Sequence, residues 1–240
     1  GCSVNWDDEA SPPSFIETTF MPTQEVKPQD FEGAEDYKGL DVLSLQFLGQ
    51  EDIDSTILNN QLEKFITSYE KWYKKICNEE VDKKFKVAKE KIINRIAVAI
   101  DRIRVGISIL KNNEQARQAF VMANQVMLRQ MVHIEMTESG AINPYKQPDY
   151  KEPKAYAWRP FQLAFQLLII ESLVNEDSKD RDTLDLIWFP TGGGKTEAYL
   201  GVAAFELIYR RLKFGEEGAG TAVITRYTLR LLTSQQFERS

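Results

Sequence analysis

The sequence predicts an α/β fold, the opening of a domain with a parallel sheet, preceded by a helical unit and an acidic arm. Three observations carry this. The stretch DLIWFPTGGGKTEAYL at 185–200 runs from a short apolar segment through glycines into a helical pattern. A second apolar segment, TAVIT at 221–225, follows that helix after a turn at Gly215 to Gly220. Upstream, residues 53–137 place apolar side chains at spacings of three and four, as amphipathic helices do. Helix, strand, helix, strand in succession is the order from which parallel sheets are built.

Composition bounds the rest. A chain of 240 residues, 42% of them hydrophobic, can bury one or two cores. Its longest apolar run, LAFQLLII at 163–170, is interrupted by Gln166 and falls short of the ~20 residues that cross a bilayer. The first residues, GCSVNWDDEA, lack the basic and apolar regions of a secretory signal. Two cysteines and the single histidine, His133, supply neither a disulfide framework nor a zinc cluster. A cytoplasmic protein that makes no use of a membrane is expected. The net charge of −6 conceals an asymmetry, because residues 1–52 hold twelve Asp or Glu against Lys27 and Lys38. Everything after residue 52 holds 24 acidic and 28 basic residues.

In chain order, residues 1–52 form an arm with Pro12, Pro13, Pro22 and Pro28 among acids, too polar to build a core alone. Its end, YKGLDVLSLQFLGQ, is apolar enough to dock on something. Residues 53–137 form the helical unit. Its first stripe is Leu58, Leu62, Phe65, Tyr69, Trp72 and Ile76. The second is Phe85, Ala88, Ile92, Ile96, Ala99, Ile103 and Leu110. The third, Phe120, Ala123, Met127, Met131 and Ile134, follows Asn112 as N-cap with Gln115 three residues on. Residues 138–157, with three prolines, form a connector. In the last portion, 158–240, Pro160 suits the first turn of a helix running to about Val174. A buried strand is expected at 185–189, a helix from Lys195 to about Lys213, a strand at 221–225 and a helix from near Thr228.

The glycine-rich turn has a physical reading. Between Thr191 and Lys195, Gly192, Gly193 and Gly194 permit the backbone to curl so that successive N–H groups face phosphate oxygens, and a helix N-terminus adds partial positive charge. Lys195 supplies a full charge for the β and γ phosphates, and the Thr196 hydroxyl can complete the shell of a magnesium ion. The pattern departs from G-x-x-x-x-G-K-[ST] at one place, where Phe189 replaces the first glycine. A turn that only joins a strand to a helix is the plain alternative. Glu197 is favoured in a first helical turn by the dipole alone and receives no catalytic role.

Two flanking stretches narrow the nucleotide. WRPFQ at 158–162 resembles the RPxQ-like segment of superfamily 2 helicases and translocases, which precedes their phosphate loop. In that family the glutamine, here Gln162, reads the adenine edge with one acceptor and two donors. A surface glutamine on an amphipathic helix is the alternative. After the second expected strand, TRYTLRLLTSQQFER is similar to the family's PTRELAxQ motif: Arg230, Leu232 and Gln235 keep the spacing, with Leu229 in place of the threonine. In the family this region lies along the nucleic-acid backbone, so Arg230 and Gln235 are the expected DNA contacts.

Over roughly residues 113–240 the chain resembles most the large helicase subunits of DISARM anti-phage defence systems. That resemblance implies an incomplete RecA-like P-loop domain, cut before its acidic motif, with ATP and Mg2+ as cofactors and DNA as substrate. It also implies a second RecA-like domain in the same polypeptide and a partner subunit of a defence complex. The 240 residues are then the front portion of an ATP-dependent helicase or translocase, not expected to couple hydrolysis to movement alone. An ATP-binding interaction platform, docking through residues 53–137, stays open. So does nucleic-acid binding by its lysine-rich stretch KKFKVAKEKIINRIAVAIDRIR, against the plain reading of a solvated face.

Overall fold

A computed structural model describes residues 2–5, 15–18, 41–138, 156–188 and 193–226. The chain divides into two compact units, Gly1–Asp30 and Phe31–Ser240. In the first, strands β1 (Cys2–Asn5) and β2 (Phe15–Thr18) pair antiparallel, with Cys2 opposite Thr18 and Asn5 opposite Phe15.

The larger unit is built from helices. A 3-10 turn at Asp41–Leu43 leads to the short α1 (Leu45–Leu48), capped by the Ser44 hydroxyl, which accepts from the Phe47 N–H. Helix α2 (Ser55–Asn78) begins where the Asp54 carboxylate accepts from the N–H groups of Thr56 and Ile57 at 2.8 and 3.0 Å. These two bonds hold the Asp54 carboxyl below its ordinary pKa. Helix α3 (Lys86–Asn112) returns alongside it, and α4 (Glu114–Glu138), α5 (Pro160–Val174) and α6 (Lys195–Phe214) complete the unit. Asn113 separates α3 from α4, its side-chain oxygen accepting from the Ala116 N–H at 3.0 Å. The cap is therefore Asn113 and not Asn112, whose amide donates instead to the Ser108 carbonyl at 2.8 Å.

One core joins these elements. Leu58, Leu62 and Phe65 from α2 meet Ile100, Ile103, Ile107 and Leu110 from α3, Phe120 and Met127 from α4, and Leu163, Leu167 and Ile170 from α5. Val42, Leu45 and Leu48 enter the same core and are fully buried. Helix α3 crosses α5 at Gly106, where a Cβ would overlap the Leu167 carbonyl oxygen. Glycine is what lets the two backbones approach so closely.

The structure corrects the expected α/β, RecA-like fold. Among the described residues of the larger unit, the only β pairing is an isolated antiparallel bridge between Ser44 and Ala157. Residues 185–188 and 221–226 take no regular structure, and Leu186, Trp188 and Ile224 are 75%, 78% and 87% exposed. A buried parallel strand needs hydrogen-bonding neighbours and covered faces, and neither segment finds them among these helices. The expected helix near Thr228 lies outside the described residues.

Candidate functional site

The site is assembled from a strap and a loop. The strap, residues 156–159, is pinned to the segment before α1: the Leu45 N–H donates to the Tyr156 carbonyl at 2.9 Å and the Trp158 N–H to the Leu43 carbonyl at 2.8 Å. Trp158 is buried, and its indole N–H donates to the Asn124 side-chain oxygen at 2.6 Å. Asn124, itself buried, gives its amide to the Phe120 carbonyl at 2.8 Å. Both polar groups are thus satisfied inside the core, as buried polar groups must be. Next comes Arg159 in extended backbone, as the residue before a proline prefers, and Pro160 opens α5. Gln162 completes a capping box, its Oε1 accepting from the Arg159 N–H at 2.7 Å.

The strap then reaches the glycine loop. Gln162 Nε2 donates to the Gly194 carbonyl at 2.7 Å, and the Arg159 guanidinium donates to the Gly193 carbonyl at 3.0 Å. All peptide bonds are trans among the described residues, and in a trans peptide the C=O and N–H point in opposite directions. Holding the carbonyls of Gly193 and Gly194 toward the strap therefore turns the N–H groups of Gly194 and Lys195 away from it, at the start of α6. Gly194 has φ +83°, and a Cβ there would sit 2.6 Å from Gln162 Nε2. Only glycine both adopts that backbone and leaves room for the glutamine. Lys195, Thr196 and Glu197 form the first turn of α6. Gly201, one turn further, packs against Gln166 and Trp158.

Gln162, Gly193, Gly194, Lys195 and Thr196 are thus brought together across more than thirty residues of sequence. Thr191 and Gly192 lie outside the described residues, as do Arg230 and Gln235. Gln162 is buried and spends one N–H and one acceptor position on the protein itself; a carboxamide has a second of each. Arg159 had no assigned role in the sequence reading, although the arginine stood in the quoted motif.

A second fastening was invisible in the sequence. Arg102 of α3 grips Asp185 with two bonds of 2.6 and 2.8 Å, and Asp180 lies 3.2 Å from its Nε. The bond to Asp185 raises the Arg102 pKa above its ordinary value. This ties the segment leading toward the loop to the helical unit.

Thr196 also lines a cavity of about 720 Å³ between α5, α6 and residues 222–226, with Arg181, Tyr199 and Glu206. Ligand sites commonly have such volumes. Burial pushes the Glu206 carboxyl up, against the pull of Arg210. A separate apolar groove of about 530 Å³, lined by Phe65, Tyr69, Trp72, Phe161 and Trp188, has none of this polar chemistry. The donor set fits a polyphosphate: backbone N–H groups at a helix start, an ammonium and a hydroxyl. Among the described residues no cluster of three His, Cys, Asp or Glu side chains could hold a metal.

No protein-family model matches the chain. In an alignment 253 positions long that covers the whole of this chain, it is 40% identical to DISARM protein DrmA of Bacillus paralicheniformis. The similarity includes residues 1–112, for which the sequence alone offered no likeness. The chain spans 22% of that relative.

Proposed function

We propose that this chain forms the nucleotide-binding front portion of an ATP-dependent DNA helicase or translocase serving a DISARM-type anti-phage defence system in the cytoplasm. The observation that carries the reading is the strap. By drawing the Gly193 and Gly194 carbonyls to one side, Arg159 and Gln162 present the opposite N–H edge at the start of a twenty-residue helix, where negative charge is favoured.

Each residue has a task there. The N–H groups of Gly194 and Lys195 bind phosphate oxygens, the Lys195 ammonium neutralises the β and γ phosphates, and the Thr196 hydroxyl helps hold magnesium. Gln162, with its second donor and acceptor, can read adenine while it braces the loop. ATP supplies the phosphoryl group whose transfer to water drives movement. The remaining groups that such an activity needs, including the partner subunit, belong to the larger assembly.

Lys195→Ala in the full-length protein tests the assignment. ATP hydrolysis is expected to fall by at least about 100-fold, the scale of removing one charged transition-state donor, while DNA affinity without nucleotide stays within about twofold. Equal turnover by mutant and wild type would discard the site.

A further inference from the structure

Between Ile66 and Ile100 no residue is buried. This stretch is the outer part of the α2–α3 hairpin with its Lys83–Phe85 turn. Residues 67–78 alone extend about 18 Å, the axial length of about five base pairs.

Its charge sets it apart. Residues 71–95 hold nine Lys or Arg against four Asp or Glu, a net +5 within a chain of net −6. Lys71 and Lys75, and likewise Lys91 and Arg95, stand one helical turn apart, where like charges oppose helix formation. Among the described residues, three of the nine cations have partners within the protein, the first being Lys74, which attracts the Glu70 carboxylate. Lys84 pairs with Asp82 and lies over the Phe85 ring, and Lys89 donates to the Cys77 and Glu79 carbonyls. Lys71, Lys75, Lys91 and Arg95 are exposed and make no ion pair among the described residues. A polyanion would relieve this repulsion.

The apolar side chains point the same way. Trp72, stacked on Tyr69 at 5.5 Å, is 41% exposed, and Phe85 is 54% exposed. Val87 and Ile92, 63% and 54% exposed, lie about 140° apart around α3 at 3.6 residues per turn. Such interleaving differs from the single apolar stripe of a helix lying in a membrane surface. Aromatic faces set among lysines are how single strands are held without sequence preference.

We infer that the outer α2–α3 hairpin is a nucleic-acid contact, gripping phosphates through Lys71, Lys75, Lys91 and Arg95 and offering Trp72 and Phe85 to unpaired bases. It shares no residue with the Arg159–Thr196 site and does not depend on the reading of that site.

The test uses full-length protein without nucleotide and fluorescent oligonucleotides, single-stranded and duplex, titrated across potassium chloride concentrations. Changing Lys71, Lys75, Lys91 and Arg95 together to Gln is expected to lower affinity at least tenfold at low salt. It should also make the slope of log affinity against log salt shallower by about 3 to 4 on duplex. A variant with Lys71, Lys75 and Lys91 changed to Arg keeps its charge and should keep both. Trp72→Ala should weaken single-strand binding more than duplex binding. An unchanged slope in the Gln variant, whether or not affinity moves, overturns the proposal, as does a hairpin that serves only a protein partner. ATP binding, measured in parallel, reports on the other site separately.

Discussion

The two halves of the α2–α3 hairpin are written in the same pattern and end in opposite environments. In the inner half, Leu58, Leu62 and Phe65 face Ile103, Ile107 and Leu110, each at most 2% exposed. In the outer half, Trp72, Phe85 and Ile92 continue the same spacings yet stand 41%, 54% and 54% exposed. Periodicity states which side chains a helix could cover together, and a neighbour decides whether they are covered. The inner half has α5, admitted by Gly106; among the described residues, Ile66 and Ile100 are the last buried residues before the outer half, where Trp72 borders an open groove beside Phe161 of α5.

That contrast can be broken from the inside first. Ile103→Ala should cost about 2–5 kcal/mol as a buried cavity, whereas Ile92→Ala should stay within about 0.5 kcal/mol as a surface change. Urea unfolding of both variants checks this, and equal costs would mean that the outer half is packed after all. Gly106→Ala comes next. Its methyl must displace the Leu167 carbonyl and open the α3–α5 crossing, an overpacking cost of about 1–3 kcal/mol, visible as a lower melting temperature.

The smallest effect is electrostatic and marks the border between the halves. Arg104 Nε donates to Glu70 at 2.5 Å and its Nη1 to Glu63 at 3.0 Å. The bond from Arg104 holds the Glu70 carboxyl below its ordinary value of 4.5. A carboxyl depressed in the folded state adds stability above its unfolded pKa and loses it as pH falls through the folded one. Wild type should therefore exceed Glu70→Gln in melting temperature by about 1–3 °C at pH 7, with the gap closing below about pH 4. A gap that persists at pH 3 would assign the effect to packing.

Local chemistry was the legible part. Pro160 announced α5, and the glycines before Lys195 announced the start of α6, because each signal acts within a turn of itself. The pairing of Gln162 with the glycine loop was legible only through the helicase resemblance, which assigns both of these separate motifs to one nucleotide; their hydrogen bonds were not. The apolar runs at 185–189 and 221–225 misled, since a run of β-branched and aromatic residues reports hydrophobicity and leaves its partners unnamed. The Arg102–Asp185 bond, across 83 positions, left no trace in spacing. At the α3–α4 junction the cap expected at Asn112 falls one residue later, at Asn113, whose side chain accepts from the Ala116 N–H.

The bridge between Ser44 and Ala157 imposes an order of events on the newborn chain. It joins residues separated by 113 positions, so on a ribosome adding roughly 5–20 residues per second its first half waits on the order of ten seconds for its second. Through that interval Val42, Leu45 and Leu48 have no strap above them. Translation speed, and any chaperone that shields this stretch as it leaves the exit tunnel, thereby become determinants of how much protein matures.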